Sequence, residues 1–220
     1  MPTGSVIVDG LSRIANEFLP LAVLWHVAVA VALAALAGGG WRPQKRVAAA
    51  LLALPLLSAS IAAWATGNPF NGILLAGVAL ALLIPAARMP RGPVHRGPSW
   101  AVAVGSATIA FAWVYPHFLA AEPAWLYLFA APMGLVPCPT LALVIGCGLL
   151  AGGFRSRAWS FAAALAGLFY SLFGMFRLGV WLDAGLFFAS SAVLVVTVGR
   201  RDSGETFAAS STREPTSSLP

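Results

Sequence analysis

Charge is what this sequence has least of. Only 9% of its 220 residues are Asp, Glu, Lys or Arg, while 60% are hydrophobic; soluble domains carry roughly a quarter charged residues. So few charges cannot cover a water-facing surface, which excludes a soluble globular domain. Cysteine is nearly as scarce. Cys138 and Cys147 are the two present, too few for a disulfide framework. In one ideal helix their spacing puts them ~13 Å apart along the axis and on opposite faces, out of reach of each other. The chain has no His-Glu-x-x-His, no phosphate loop, no nucleophile triad and no paired carboxylates on one helix, so no enzyme activity and no cofactor are expected. The first eighteen residues lack a basic start, and "WRPQKR" directly follows the first long apolar run. That run therefore reads as a retained helix and not as a cleaved signal.

What the sequence does have is apolar length. Seven runs, at about 19–39, 47–66, 70–88, 99–118, 125–152, 158–175 and 179–199, approach the ~20 residues that a membrane span requires. They are continuous and rich in Ala, Leu and Val, where a transmembrane barrel would show short alternating segments. Lipid offers the backbone no hydrogen-bond partner, so the spanning element is the helix. The expected fold is all-α: a polytopic transmembrane bundle of seven spans over residues 19–199. Residues 1–18 are a mildly amphipathic lead-in that either lies along the membrane surface or simply precedes the first span. Residues 200–220 are polar and aperiodic, as in a disordered tail.

Loop charges set the orientation. Arg42, Lys45 and Arg46 follow the first run; Arg88, Arg91 and Arg96 the third; Arg155 and Arg157 the fifth; Arg200 and Arg201 the seventh. The alternate connections hold one basic residue in total, Arg177. Every second turn is basic, so the positive-inside rule puts the N-terminus outside and the tail in the cytoplasm of an inner or plasma membrane. The net charge of +6 is thereby explained without nucleic acid. The bilayer is the expected partner, with an oligomer or a second membrane protein left open. Trp41, Trp64, Trp100, Trp125 and Trp181 fall near proposed span ends, where amphipathic rings prefer the interface. Small residues four apart, at Gly77/Ala81, Ala101/Gly105, Ala142/Gly146 and Ala163/Gly167/Ser171, permit close helix approach.

One element interrupts this pattern. In "GLVPCPTLAL", Pro137 and Pro139 flank Cys138 near the middle of the fifth run. Each proline lacks a donor and clashes with the preceding turn. A kink or unwound segment is expected around residues 132–139, with helix resuming at Thr140 and capped by its hydroxyl. Gly134, Pro137, Cys138, Pro139 and Thr140 then admit three readings. They form a structural kink with Cys138 as a small apolar filler, or a midplane site lining the path of a small solute or ion, or a place where the Cys138 thiolate ligates a soft metal or does redox chemistry. For the last, Met133, Cys147, His26 and His117 are the remaining candidate ligands, and nothing in the sequence makes them converge.

The string "FAWVYPHFL…PAWLYLFAAPMGLVPCPTLALVIGCGLL" resembles an uncharacterised family of bacterial multi-span membrane proteins. Its members pair a Tyr-Pro near the end of one helix with Gly-x-x-Pro-Cys-Pro-Thr in the next. The matching residues are Tyr115, Pro116, Gly134, Pro137, Cys138, Pro139 and Thr140, over roughly residues 110–150. The resemblance implies an integral membrane protein and carries no activity.

Ionisable residues at membrane depth are costly and often functional. His26 lies about two turns into the first run. His117 and Glu122 flank the outer end of the fourth, and Arg177 and Asp183 bracket the turn between the sixth and seventh, close enough for an unwound turn to pair them. With Tyr115, they are either interfacial anchors or an outer polar vestibule above the Pro-Cys-Pro-Thr element. A small transporter, permease or channel-like protein is the expected role, and a non-transporting scaffold or partner subunit the alternative.

Overall fold

Apolar stretches with no water to bond their backbone must close their hydrogen bonds within each segment, and they do so here as helices. The computed structural model describes residues 3–37, 42–120 and 123–198. Trp41, Glu122, Arg200, Arg201 and the expected tail 200–220 lie outside the described residues. Among the described residues the regular structure is helical: α1 (Gly4–Glu17), α2 (Leu19–Ala37), α3 (Lys45–Leu51), α4 (Leu54–Ala65), α5 (Pro69–Arg88), α6 (Ser99–Val114), α7 (Tyr127–Ala130), α8 (Pro137–Leu150), α9 (Arg157–Phe173) and α10 (Ala184–Val198), with short 3-10 and π turns between them.

Five helical segments are long and apolar enough to cross a membrane: Leu19–Leu36, Lys45–Ala65, Pro69–Arg88, Arg157–Leu178 and Trp181–Val198. The chain thus has the build of a multi-span membrane protein. The fourth and fifth runs give shorter helices than the sequence suggested. α6 stops at Val114, not 118, because Pro116 bars the preceding residue from helical geometry; Tyr115 has φ −26° and ψ 96°. The run 125–152 is not one bent helix. A 3-10 turn (Ala124–Leu126) and α7 are followed by non-helical backbone over 131–136, and only then by α8.

The helix after this break resumes at Pro137, three residues before Thr140. The reason lies in the prolines themselves. Pro137 and Pro139 occupy the first and third helical positions, where backbone N–H groups have no intrahelical partner, so neither ring costs a hydrogen bond. Thr140 is therefore inside the helix and does not cap it. Its Oγ1 accepts from the Gly134 N–H (2.9 Å) and donates to the Val136 carbonyl (2.6 Å), which fastens the break to the helix.

α8 is the axis of the bundle. Residues 130–146 are all buried, and α4, α6, α9 and α10 pack around them. α8 and the broken backbone before it are thus enclosed by protein, the setting in which short helices and irregular backbone are tolerated inside a bundle of apolar helices. Two of the small-residue pairs, Ala101/Gly105 and Ala142/Gly146, make a backbone-to-backbone crossing between α6 and α8. A Cβ on Gly105 would sit 2.7 Å from the Gly146 carbonyl oxygen, and one on Gly146 2.9 Å from the Gly105 carbonyl oxygen. Gly167 likewise leaves room for Ser190 of α10 and Ile145 of α8, whereas Gly77 faces open space. α2 is the opposite case: only 17% of its span is buried, and Leu24, Val27 and Val31 point outward.

The connections separate into two ends. At one, the basic segments meet: Lys45 N–H bonds Gly92 O (2.9 Å), Val94 N–H bonds Pro43 O (3.1 Å), Gly97 N–H bonds Leu150 O (2.8 Å), and the Arg46 guanidinium clasps Met89 O (2.7 and 3.1 Å). At the other end gather the 66–69 turn, the 115–120 loop, the start of α8 and the turn between α9 and α10.

Candidate functional site

The second end encloses a cavity of about 570 Å³. α1 covers it with one face, carrying Val6, Ile7, Gly10 and Leu11. This lead-in segment is thus a docked helix. Asn16 pins it by donating to Phe118 O (3.0 Å) and accepting from Ala120 N–H (3.0 Å). Phe70, Phe118, Phe173 and Leu178 make most of the wall apolar; the polar side chains are Thr66 and Asn68 at the turn before α5, with Asn71, Cys138, Tyr170, Arg177 and Asp183.

Asp183 organises the floor. It is 1% exposed. Tyr115 OH donates to its Oδ1 at 2.6 Å, and Cys138 Sγ–H donates to its Oδ2 at 3.2 Å. One carboxyl thereby ties the end of α6, the start of α8 and the start of α10. Its place just before α10 suits a negative charge, because the free N–H groups of a helix start carry positive potential. Gly174 makes the arrangement possible: a Cβ there would collide with the Asp183 carboxylate. Beside it, Tyr170 OH donates to Asn71 Oδ1 (3.2 Å), and Asn68 Oδ1 caps α5 by accepting from Asn71 N–H (3.2 Å).

The structure brings together some of the residues singled out from sequence. Pro137, Cys138, Arg177 and Asp183 border the cavity, and Tyr115 reaches it through Asp183. Gly134, Pro139 and Thr140 lie behind it and shape the break. His26 is elsewhere, buried between α2 and α6, with Nδ1 2.9 Å from Ala22 O, Nε2 3.0 Å from Trp113 O and the ring edge-on to Trp113. His117 packs on Phe118, and its buried Nε2 has no hydrogen-bond partner among the described residues; burial pushes its pKa below the ordinary histidine value. Asp183 takes hydrogen bonds from Tyr115 and Cys138, both far from it in the chain, and Arg177 borders the same cavity.

Three contributors were missed: Asn16, Asn71 and Tyr170. Asn71 carried a signal, since "GNPFNG" sets a second asparagine three residues after a helix cap. Tyr170 is one of three tyrosines in the chain. Both cysteines are free, and among the described residues no group of three or more His, Cys, Asp or Glu is placed to hold a metal ion. What the floor can do is accept a donor: a carboxyl with two fixed hydrogen bonds, next to a thiol and an amide, can hold a proton or the polar head of an otherwise apolar guest.

No family model, no curated protein and no solved structure matches the chain. The resemblance over residues 110–150 therefore rests on its motif residues alone.

Proposed function

We propose that the chain is a seven-span plasma-membrane protein, N-terminus outside, whose cavity receives a small solute from the exterior as the binding site of a permease. The short helices α6 and α8 complete the seven, α8 being shielded from lipid by its neighbours. The basic connections gathered at one end support this orientation, since they match the positive-inside bias. The observation that carries the solute-binding reading is Asp183. A carboxyl buried at the end of a membrane helix is expensive to keep, and it borders a space within the ~300–1,000 Å³ range of small-molecule sites.

Thiol labelling in intact cells tests it. With Cys147→Ala as background, a small membrane-impermeant methanethiosulfonate added outside is expected to modify Cys138, and a bulky impermeant maleimide to react far more slowly. Modification from the cytoplasmic side alone would reverse the orientation. Failure of every water-soluble reagent, in a protein that a lipid-soluble one still labels, would leave a scaffold with a sealed void.

A further inference from the structure

The opposite end of the bundle holds a second recess, of about 350 Å³, which the solute-binding reading does not use. Its upper part is basic. Arg88 comes from the last turn of α5 and Arg155 from the turn before α9, and neither guanidinium has a hydrogen-bond or ion-pair partner among the described residues. Its lower part is apolar. Ala81, Ile84 and Arg88 lie along one exposed face of α5, with Pro85 beside them and Ala158 opposite. Both arginines stand at the ends of long apolar spans, Pro69–Arg88 and Arg157–Leu178, the level at which lipid headgroups lie.

The backbone that delivers Arg155 is unusual. Four consecutive residues, Gly152, Gly153, Phe154 and Arg155, have φ of 53°, 63°, 53° and 55°. Two are not glycine, and left-handed backbone is unfavourable for residues with a Cβ. The turn holds because it is fixed from behind: Phe154 is buried edge-on against Trp159 (4.9 Å between centroids), and Ser160 Oγ–H donates to Gly153 O (3.2 Å). Strain of this kind persists where the surroundings over-determine it, and it marks positions with a task. The field agrees. The basic residues of 42–46, 88–96 and 155–157 lie at this end, whereas the described acids Asp9, Glu17 and Asp183 belong to the cavity end.

We propose that this recess is a phosphate-binding site, filled by the headgroup of an anionic phospholipid. The two guanidiniums take the phosphate oxygens, and an acyl chain runs along Ala81 and Ile84. Two forks from separate elements suit a phosphate because each can donate two parallel hydrogen bonds. Basic pockets between membrane helices are a recurring form of lipid recognition.

Native mass spectrometry of the full chain in detergent tests the site. The protein is titrated separately with dioleoyl phosphatidylglycerol, dioleoyl phosphatidylcholine and inorganic phosphate. The wild type is expected to retain phosphatidylglycerol in preference to phosphatidylcholine. Arg88→Gln and Arg155→Gly are each expected to weaken phosphatidylglycerol about fivefold, while the charge-matched pair Arg42→Gln and Arg91→Gln leaves it nearly unchanged. Arg155→Gly also relaxes the left-handed backbone, so it suffices alone if Arg88→Gln does not fold. Equal losses in both pairs, or none in the first, would overturn the site. Displacement of the lipid by millimolar phosphate would overturn the lipid as its source. Neither outcome depends on Cys138 labelling.

Discussion

Gly134 gives the sharpest test of how the break before α8 is held. Its φ is +77°, and a Cβ there would run into the indole of Trp25, whose Nε1–H is committed to Ser58 Oγ at 2.9 Å. Gly67 is the natural control, with φ +73° and no neighbour within 4 Å. Gly67→Ala should cost only the left-handed backbone term, about 1–2 kcal/mol. Gly134→Ala should cost that and more. Pushing Trp25 off its rotamer adds about 0.5–1.5 kcal/mol, and loss of its bond to Ser58 a further 0.5–1.5, roughly. The two variants should therefore differ by about 1–3 kcal/mol. At ~2–4 °C per kcal/mol for a chain of this size, thermal unfolding in dodecyl maltoside, followed by circular dichroism, resolves the difference. Equal melting temperatures for the two alanine variants would refute the idea that Trp25 clamps the break.

Two further predictions concern the cavity end. Asp183→Ala leaves Tyr115 OH and Cys138 Sγ–H buried without an acceptor and should cost about 2–4 kcal/mol in an SDS-titration unfolding assay. Asp183→Asn, which keeps an acceptor oxygen, should cost less, and adding Tyr115→Phe to Asp183→Ala should cost less than the two single changes summed. For His117 the sign follows from its burial. Its folded pKa lies below the ordinary value of about 6.5, so the unfolded chain takes up the proton more readily. The neutral ring's contribution is intact above pH ~6.5 and is lost as pH falls below it. Melting temperature should fall between pH 7.5 and 5.5, roughly, and His117→Gln should flatten part of that slope; an unchanged slope would remove His117 as its cause.

The helical character was legible from composition, because 9% charge over continuous Ala/Leu/Val runs leaves the backbone no other way to bond in lipid. Local chemistry was legible too. The small-residue spacing at Gly105 and Gly146 falls where α6 and α8 cross backbone to backbone, and the Pro-Cys-Pro-Thr element follows a break in the helix. What the sequence hid was the sense of that break. A proline pair reads as damage inside a helix or as a well-formed start to one, and only the extended geometry of Val136 (φ −118°, ψ 154°) decides for the second. The meeting of Asp183 with Tyr115 and Cys138 was hidden for another reason: it spans 68 and 45 residues, and no local pattern encodes which helix ends converge.

The enclosed position of α8 has a consequence for how the protein is made. Its walls come from both sides of it in the chain: α4 and α6 are synthesised before it, α9 and α10 after. When α8 leaves the ribosome, half of its enclosure does not yet exist. A 14-residue segment with a proline-rich entry is shorter than the ~20 residues a lone membrane span requires, so its enclosure is complete only once α9 and α10 are packed against it. In that sense the centre of the bundle is finished by the helices made after it.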